Sequence, residues 1–295
     1  MRDKIIEQAH KDFNPDIVSI DDDAINKTDF DKSKIYFFFT KQDFLDIRSI
    51  EKNINFILGY QSINYQHWSI NLKNRLERYE FEGKIGADAL VVGFQNIFIK
   101  NLQQTINSDL LSEADITLSF GNVPDKKGRV DILRESLNKN KLAKVNKIIQ
   151  DDVFNKNLID ISTAYQIADI MPKSFNDPYL KKIQLALYEI GELLQISNPR
   201  LKVDLTVSLE YQLPKVLNAL GIIKYNNDLL KTIDNAHIID VDSNEERAIR
   251  AASLLACEKI CEINKFDGPY LHNLLWDQRK NFGNLKFHLT KTKRY

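Results

Sequence analysis

The stretch DLTVSLEYQLPKVLNALGIIKY, residues 204–225, places one carboxylate, Glu210, inside an otherwise apolar segment. Leu205, Val207, Leu209, Tyr211, Leu213, Val216, Leu217 and Leu220 surround it, and Pro214 follows four residues later where a helix is expected to open. A solvated loop rarely has this composition. A carboxylate withdrawn from water is costly unless it is paired, hydrogen-bonded or put to use. Glu210 is therefore the first candidate for chemistry.

The chain has 295 residues, enough for one large domain or for two helical lobes. Apolar residues make up 43% and charged residues 28%, the balance of an ordinary globular protein. Lys plus Arg equals Asp plus Glu, at 41 each, so no global basic field marks a nucleic-acid binder. Charge is nevertheless segregated. Asp21, Asp22 and Asp23 form an acidic run near the start, and Arg279, Lys280, Lys286, Lys291, Lys293 and Arg294 follow Gln278 with no acid among them. Such a basic tail (279–295) reads as a solvated terminus or as a grip on phosphates.

Two cysteines, Cys257 and Cys261, lie four apart in a helical pattern. That spacing has neither zinc-site form nor disulfide geometry, and a reducing cytoplasm is the natural setting. The start, MRDKIIEQAHKDFNP, lacks the apolar core of a secretion signal, and the runs IYFFF and ALVVGF are too short to cross a bilayer. A soluble, cytoplasmic protein is expected.

Glycine and proline are scarce, at ten and seven, and helical periodicity dominates. Residues 86–107 align Leu90, Phe94, Ile97, Phe98 and Leu102 on one stripe. Residues 153–170 repeat Leu158, Ile161, Tyr165 and Ala168, and residues 178–195 repeat Leu180, Ile183, Leu187 and Ile190 behind Pro178. A helix over 244–264 starts after Ser243 with Glu246 three positions on, a capping-box pattern. The best strand candidate is KIYFFFT, 34–40, and GNVPDKKG, 121–128, reads as a loop. These patterns predict an all-α or mostly α protein with at most a small hairpin or sheet. It is read as a single domain over 1–295, or as two lobes near 1–170 and 171–295 around one cleft.

Phosphate-loop, dinucleotide, zinc-protease, nucleophile-elbow and EF-hand motifs are all missing. The histidines (His10, His67, His237, His272 and His288) have no metal-ligand spacing. No metal or cofactor is expected.

The segment from Leu205 to Leu217, with Gly221–Tyr225 behind it, resembles the queuosine salvage family, whose members carry a segment like L-T-M-F-A-D-Y-R-V-P-Q-V-L and then G-x-L-x-Y. Further likenesses run in order along the chain: IVSID (17–21), NFILGYQSINYQHW (55–68), YEFEGKIGADALVVGF (79–94), GRVDILRE (128–135), MPKSFNDPYLKKIQL (171–185), SNEERAIRAASLLACE (243–258) and LHNLLWDQR (271–279). The resemblance implies an all-α fold related to helix-hairpin-helix DNA glycosylases. It also implies cleavage of an N-glycosidic bond that frees a modified base from a ribose phosphate, without metal or cofactor. Breaking a C1′–N bond builds positive charge on the sugar, which a carboxylate stabilises. Glu210 falls at the matching acid. Tyr65, Trp68, Tyr211 and Trp276 are candidate walls for a flat base. Asn64 is a candidate reader of a base edge or ribose hydroxyl, and Lys181, beside Lys182, a candidate phosphate contact.

Four positions depart from the family pattern. Its Asp is Glu210 here, an aromatic two residues earlier is Ser208, the aromatic before Trp68 is His67, and the acid of its closing segment is His272. All four changes fall among the expected substrate contacts. Three activities stay open: an N-glycosidase on a modified nucleoside or nucleotide, a DNA glycosylase that flips out a modified base and uses the basic tail on the backbone, and a non-catalytic binder. Oligomeric state is not legible.

Overall fold

A computed structural model describes residues 2–31, 33, 49–71, 76–102 and 107–295. The expected strand at 34–40 lies outside them, as do residues 103–106 of the predicted helix 86–107. The described chain runs α1 (Arg2–Asp12), β1 (Val18–Ile20), α2 (Asp22–Lys27), α3 (Ile50–Ser62), β2 (Trp68–Ile70), β3 (Leu76–Arg78), β4 (Glu80–Phe81), β5 (Lys84–Ile85) and α4 (Ala87–Leu102). It continues through α5 (Glu113–Phe120), α6 (Lys126–Ser136), α7 (Lys139–Asp151), β6 (Leu158–Asp160), α8 (Ile161–Ile170), α9 (Pro172–Phe175) and α10 (Lys181–Gln195). Last come β7 (Lys202–Asp204), α11 (Gln212–Ala219), β8 (Ile223–Tyr225), α12 (Asn227–Asp234), α13 (Asn244–Asn264) and α14 (Gly268–Gln278). The protein is mostly helical, and among the described residues the strands form two-stranded sheets. No helix among the described residues is long and apolar enough to cross a membrane.

The helix predicted over 153–170 is broken. A π turn over Asp152–Lys156 ends at Asn157, whose φ of 53° leaves helical space, and a short strand precedes α8. The predicted loop 121–128 is shorter than expected, because Asp125 accepts from the Gly128 amide at 3.1 Å and starts α6 at Lys126. Pro178 does not open α10. Asp177 does, accepting from the Lys181 amide at 2.8 Å, with Leu180 held at a φ of 53°. Ser243 caps α13 as predicted, accepting from the Glu246 amide at 3.1 Å, but Glu246 reaches back to the amide of Asp242 instead of Ser243.

The chain divides into two compact units. Unit one draws on Met1–Lys41, Asp160–Ser162 and Val203–Thr292. In it α1 packs along α13, and β1 pairs antiparallel with β8 in the register Val18 to Tyr225. The acidic run is spent on structure: Asp21 caps α2 and meets Lys224 at 2.6 Å, and Asp22 meets Lys259 at 2.8 Å. Both cysteines are free and buried in α13. The C-terminal stretch is no loose tail. Phe287, His288, Leu289 and Thr290 are buried, and the Ile239 amide donates to Leu289 O at 2.7 Å.

Unit two draws on Gln42–Ile159, Thr163–Lys202 and Lys293–Tyr295. Its centre is α3 against α10, beside an aromatic cluster in which the Phe56 ring lies 5.1 Å from Phe94 and 5.2 Å from Phe98. Edge-on pairs of this kind add about 0.5–1.5 kcal/mol each beyond area burial.

Gly268 packs against the segment that leads to the candidate acid. Residues 205–210 are buried without regular structure, and the first turn of α14 rests on their backbone. A Cβ at Gly268 would strike Leu205 O and come within 2.6 Å of Thr206 C. Backbone atoms cannot swing aside as a side-chain tip can. Gly268→Ala is expected to cost about 1–3 kcal/mol, read as a lower midpoint in urea, despite the better helix propensity of alanine. A midpoint equal to or above wild type would show that α14 can shift freely off this segment.

Candidate functional site

Unit one holds Glu210 at the mouth of α11. The residue is 7% exposed, and its Oε1 accepts from the Leu213 amide at 3.2 Å. The first amides of a helix have no partner within it, and their aligned dipoles favour a negative charge. Glu210 thus has a physical reason to stay folded inward: it satisfies the first turn of the helix it precedes. Pro214 is the third residue of α11, not its first; it needs no donor there and fixes the turn.

Ser208 is buried on the same segment. Tyr211 is partly exposed and stacks on Phe287, with centroids 4.4 Å apart. On α14, His272 is buried and its ring lies nearly parallel to Trp276, with centroids 6.3 Å apart. The guanidinium of Arg279 sits 3.9 Å from the Trp276 centroid. One face of that indole is therefore already occupied by a cation. Of the other basic residues, Lys280 pairs with Asp277 at 2.9 Å and Lys286 donates to Asp234 O, whereas Lys291 and Lys293 are exposed.

Unit two holds the remaining expected site residues, around the turn that ends α3. Three buried cations converge on the carbonyls of that turn. Arg129 donates to the carbonyls of Ile63, Tyr65 and Gln66. Lys181 donates to Asn64 O at 3.2 Å, and Lys182 to Ser62 O at 2.6 Å. The lysines occupy the first two positions of α10, where the helix dipole disfavours cations. Carbonyl acceptors offset that cost. Burial, with Lys181 next to it, pushes the Lys182 ammonium well below the usual lysine range.

Tyr65 is fully buried under these cations, with Arg129 4.4 Å and Lys182 5.2 Å from its ring centroid, and its hydroxyl donates to Asp125 at 2.9 Å. Trp68 is buried at the start of β2, paired with Arg78.

Asn64 and His67 belong to a buried hydrogen-bond chain. The Tyr60 hydroxyl donates to Glu189 Oε1, and Gln61 Nε2 donates to the same oxygen at 3.0 Å. Gln61 Oε1 accepts from Asn64 Nδ2 at 2.7 Å, and Asn64 Oδ1 lies 2.7 Å from His67 Nε2. Burial, then the cations Arg129 and Lys181, hold the His67 imidazole well below its ordinary range, so it is neutral. Arg129, Tyr60, Gln61 and Glu189 were not singled out from sequence as site residues. The signal was present in Glu189, an acid beside Ile190 in the predicted helix, and in Gln61 at the end of apolar α3. Among the described residues, no three His, Cys, Asp or Glu side chains gather as a metal site.

Comparison with known proteins bears on unit one most. Residues 188–291 match the queuosine salvage protein family. Within this queuosine salvage stretch lie Ser208, Glu210, Tyr211, His272 and Trp276, and the basic residues as far as Lys291. Asn64, Tyr65, His67, Trp68 and Lys181 lie outside it. The queuosine 5'-phosphate N-glycosylase/hydrolase of Sphaerobacter thermophilus is 33% identical over 96 residues. That alignment takes in 30% of this chain and 30% of the relative, so the chain spans less than a third of that protein's length.

Glu189 makes a measurable demand on pH. Burial pushes its carboxyl up from 4.5 to about 8, against the opposing hydrogen bonds of Tyr60 and Gln61. The folded state therefore favours the protonated acid. Its contribution is fully present below the unfolded value of 4.5 and is lost as pH rises towards 8, because the unfolded chain ionises first. Glu189→Gln keeps an acceptor for both donors and cannot ionise. In urea melts at pH 5 and pH 8 the variant is expected to gain on wild type by a few kcal/mol at the higher pH. Equal pH dependence would show that Glu189 is ionised in the folded protein.

Proposed function

We propose that this chain is an N-glycoside hydrolase that cleaves the base–sugar bond of a modified nucleotide of the queuosine 5'-phosphate type, with Glu210 as its catalytic carboxylate. The observation that carries the reading is a buried acid at the helix mouth inside the stretch that matches the queuosine salvage family. A relationship to helix-hairpin-helix DNA glycosylases is part of the same proposal, and the mostly helical architecture is compatible with it.

In the proposed reaction the C1′–N bond breaks and its electron pair leaves with the base nitrogen, which takes up a proton. C1′ and the ring oxygen share the resulting positive charge. The Glu210 carboxylate stabilises that charge or takes a proton from the water that adds at C1′. Apolar neighbours such as Leu209 and Leu213 strengthen the attraction by thinning the surrounding water. Ser208 stands where the family resemblance expects an aromatic ring, and Tyr211 is the proposed aromatic contact beside it. His272 and Trp276 are proposed substrate contacts from α14. The DNA reading has less support: Arg279, Lys280 and Lys286 are committed to Trp276, Asp277 and Asp234.

The test is release of free base from queuosine 5'-phosphate, followed by mass spectrometry. Glu210→Gln retains an oxygen for the Leu213 amide, so the start of α11 is preserved while the charge is removed. Its rate is expected to fall by roughly 10²–10⁴ at unchanged thermal stability. A variant as fast as wild type overturns the role of Glu210. A wild-type protein that releases no base from this nucleotide, but does so from modified DNA, favours the alternative substrate.

A further inference from the structure

We propose that the cleft between α1 and α13 in unit one binds a small organic cation, an ammonium carried on an aromatic or branched apolar body, with Glu262 as its counter-charge. Glu210 does not line this cleft, and binding there requires nothing of the glycosidase reading.

The cleft follows from how the two helices meet. On α1, Ile5 and Ala9 are fully buried and face the core. The neighbouring stripe has Arg2, Ile6 and His10 at four-residue intervals with Phe13 behind them, and it stays within reach of solvent. Opposite, α13 presents Leu255, Glu258 and Glu262 on one stripe of its own. That helix ends at Lys265, whose φ of 59° turns the chain back, and the Phe266 amide donates to Cys261 O at 3.1 Å. The reversal sets Phe266 on the cleft wall, where its ring is held by Phe30, edge-on at 6.2 Å, and by Tyr270 at 4.8 Å. The space is about 480 Å³, within the range of small-molecule sites. Ile6, Phe13, Leu255 and Phe266 make apolar walls rimmed by charged groups, a combination that marks ligand clefts.

Charge decides the class of ligand. The lysine and arginine of the cleft are already matched. Arg2 forks onto both oxygens of Glu258, at 2.8 and 3.1 Å, and reaches Asp204 at 2.6 Å. Lys259 meets Asp22 at 2.8 Å. Glu262 is exposed and has neither an ion-pair nor a hydrogen-bond partner among the described residues. Four acids therefore answer these two cations, and the acid left over borders the apolar walls. A bound anion would compete with Glu258 or Asp22 for its cation. A bound cation breaks neither pair: Glu262 supplies the opposite charge, and the rings of Phe13 and Phe266 attract an ammonium through their π faces.

The experiment titrates the full chain with 2-phenylethylamine, which is protonated at neutral pH, with its uncharged counterpart 2-phenylethanol, and with the anion 3-phenylpropionate. Binding is followed on the labelled methyl groups of Ile6 and Leu255, identified by their loss in Ile6→Val and Leu255→Met. The amine is expected to shift both signals and to bind about tenfold more tightly than the alcohol. Glu262→Gln is expected to cut that preference to about threefold while the affinity of the alcohol stays unchanged, a pattern that loss of structure would not give. Ile6→Trp fills the cleft and is expected to abolish binding of the amine; should that variant not fold, the exposed Glu262→Gln substitution still decides. Three results overturn the proposal: no saturable shift of either methyl at millimolar amine, equal affinity for amine and alcohol in wild type, or tighter binding of the anion. A cation preference that survives intact in Glu262→Gln overturns the role given to that carboxylate.

Discussion

The hydrogen bond from the first turn of α11 to the Glu210 side chain is the constraint on which the functional reading depends. The free amides at the helix start provide a donor and a favourable field for an acid set among apolar side chains. The backbone that carries it is held in turn by the close approach of Gly268, which ties α14 to residues 205 and 206. The acid is therefore placed by packing at one end and by a cap at the other.

A second arrangement in unit two obeys the same rule with the opposite sign. Arg129, Lys181 and Lys182 are cations in a buried setting, and they persist because the turn after α3 directs a row of carbonyls at them. Burial first, and then Arg129 and Lys181, keep His67 neutral, and a neutral imidazole can accept where an imidazolium cannot. Buried polar groups of this kind seldom add net stability compared with apolar packing. What they provide is a single arrangement of donors and acceptors, the property a recognition surface needs.

Much of the helical frame was legible in the residues. The stripe Leu90, Phe94, Ile97 and Phe98 is buried on α4, and Ser243 does cap α13. Periodicity failed where local backbone geometry overrode it, as at Asn157, which interrupts an apolar repeat that would otherwise continue. It failed at Pro178 because Asp177 captures the free amide of α10 first. Glu210 stood out because a charge amid apolar neighbours is an anomaly within a short window. Arg129 and Glu189 did not, because their partners lie 66 and 128 positions away along the chain, and no local pattern encodes a contact of that span. The sheet of β1 and β8 was invisible for the same reason: Val18 pairs with Tyr225, far along the sequence.

The account's central claim is electrostatic: a buried negative charge at residue 210 meets a sugar as it becomes positive. The most direct measurement is the affinity of a ribose 5-phosphate mimic with a protonated ring nitrogen, compared with its neutral carbocyclic counterpart, in wild type and in Glu210→Gln. The account predicts that wild type prefers the cation by at least about 10²-fold, as expected for a transition-state mimic, and that the variant loses most of that preference. Equal affinity for the charged and neutral compounds in wild type would contradict it.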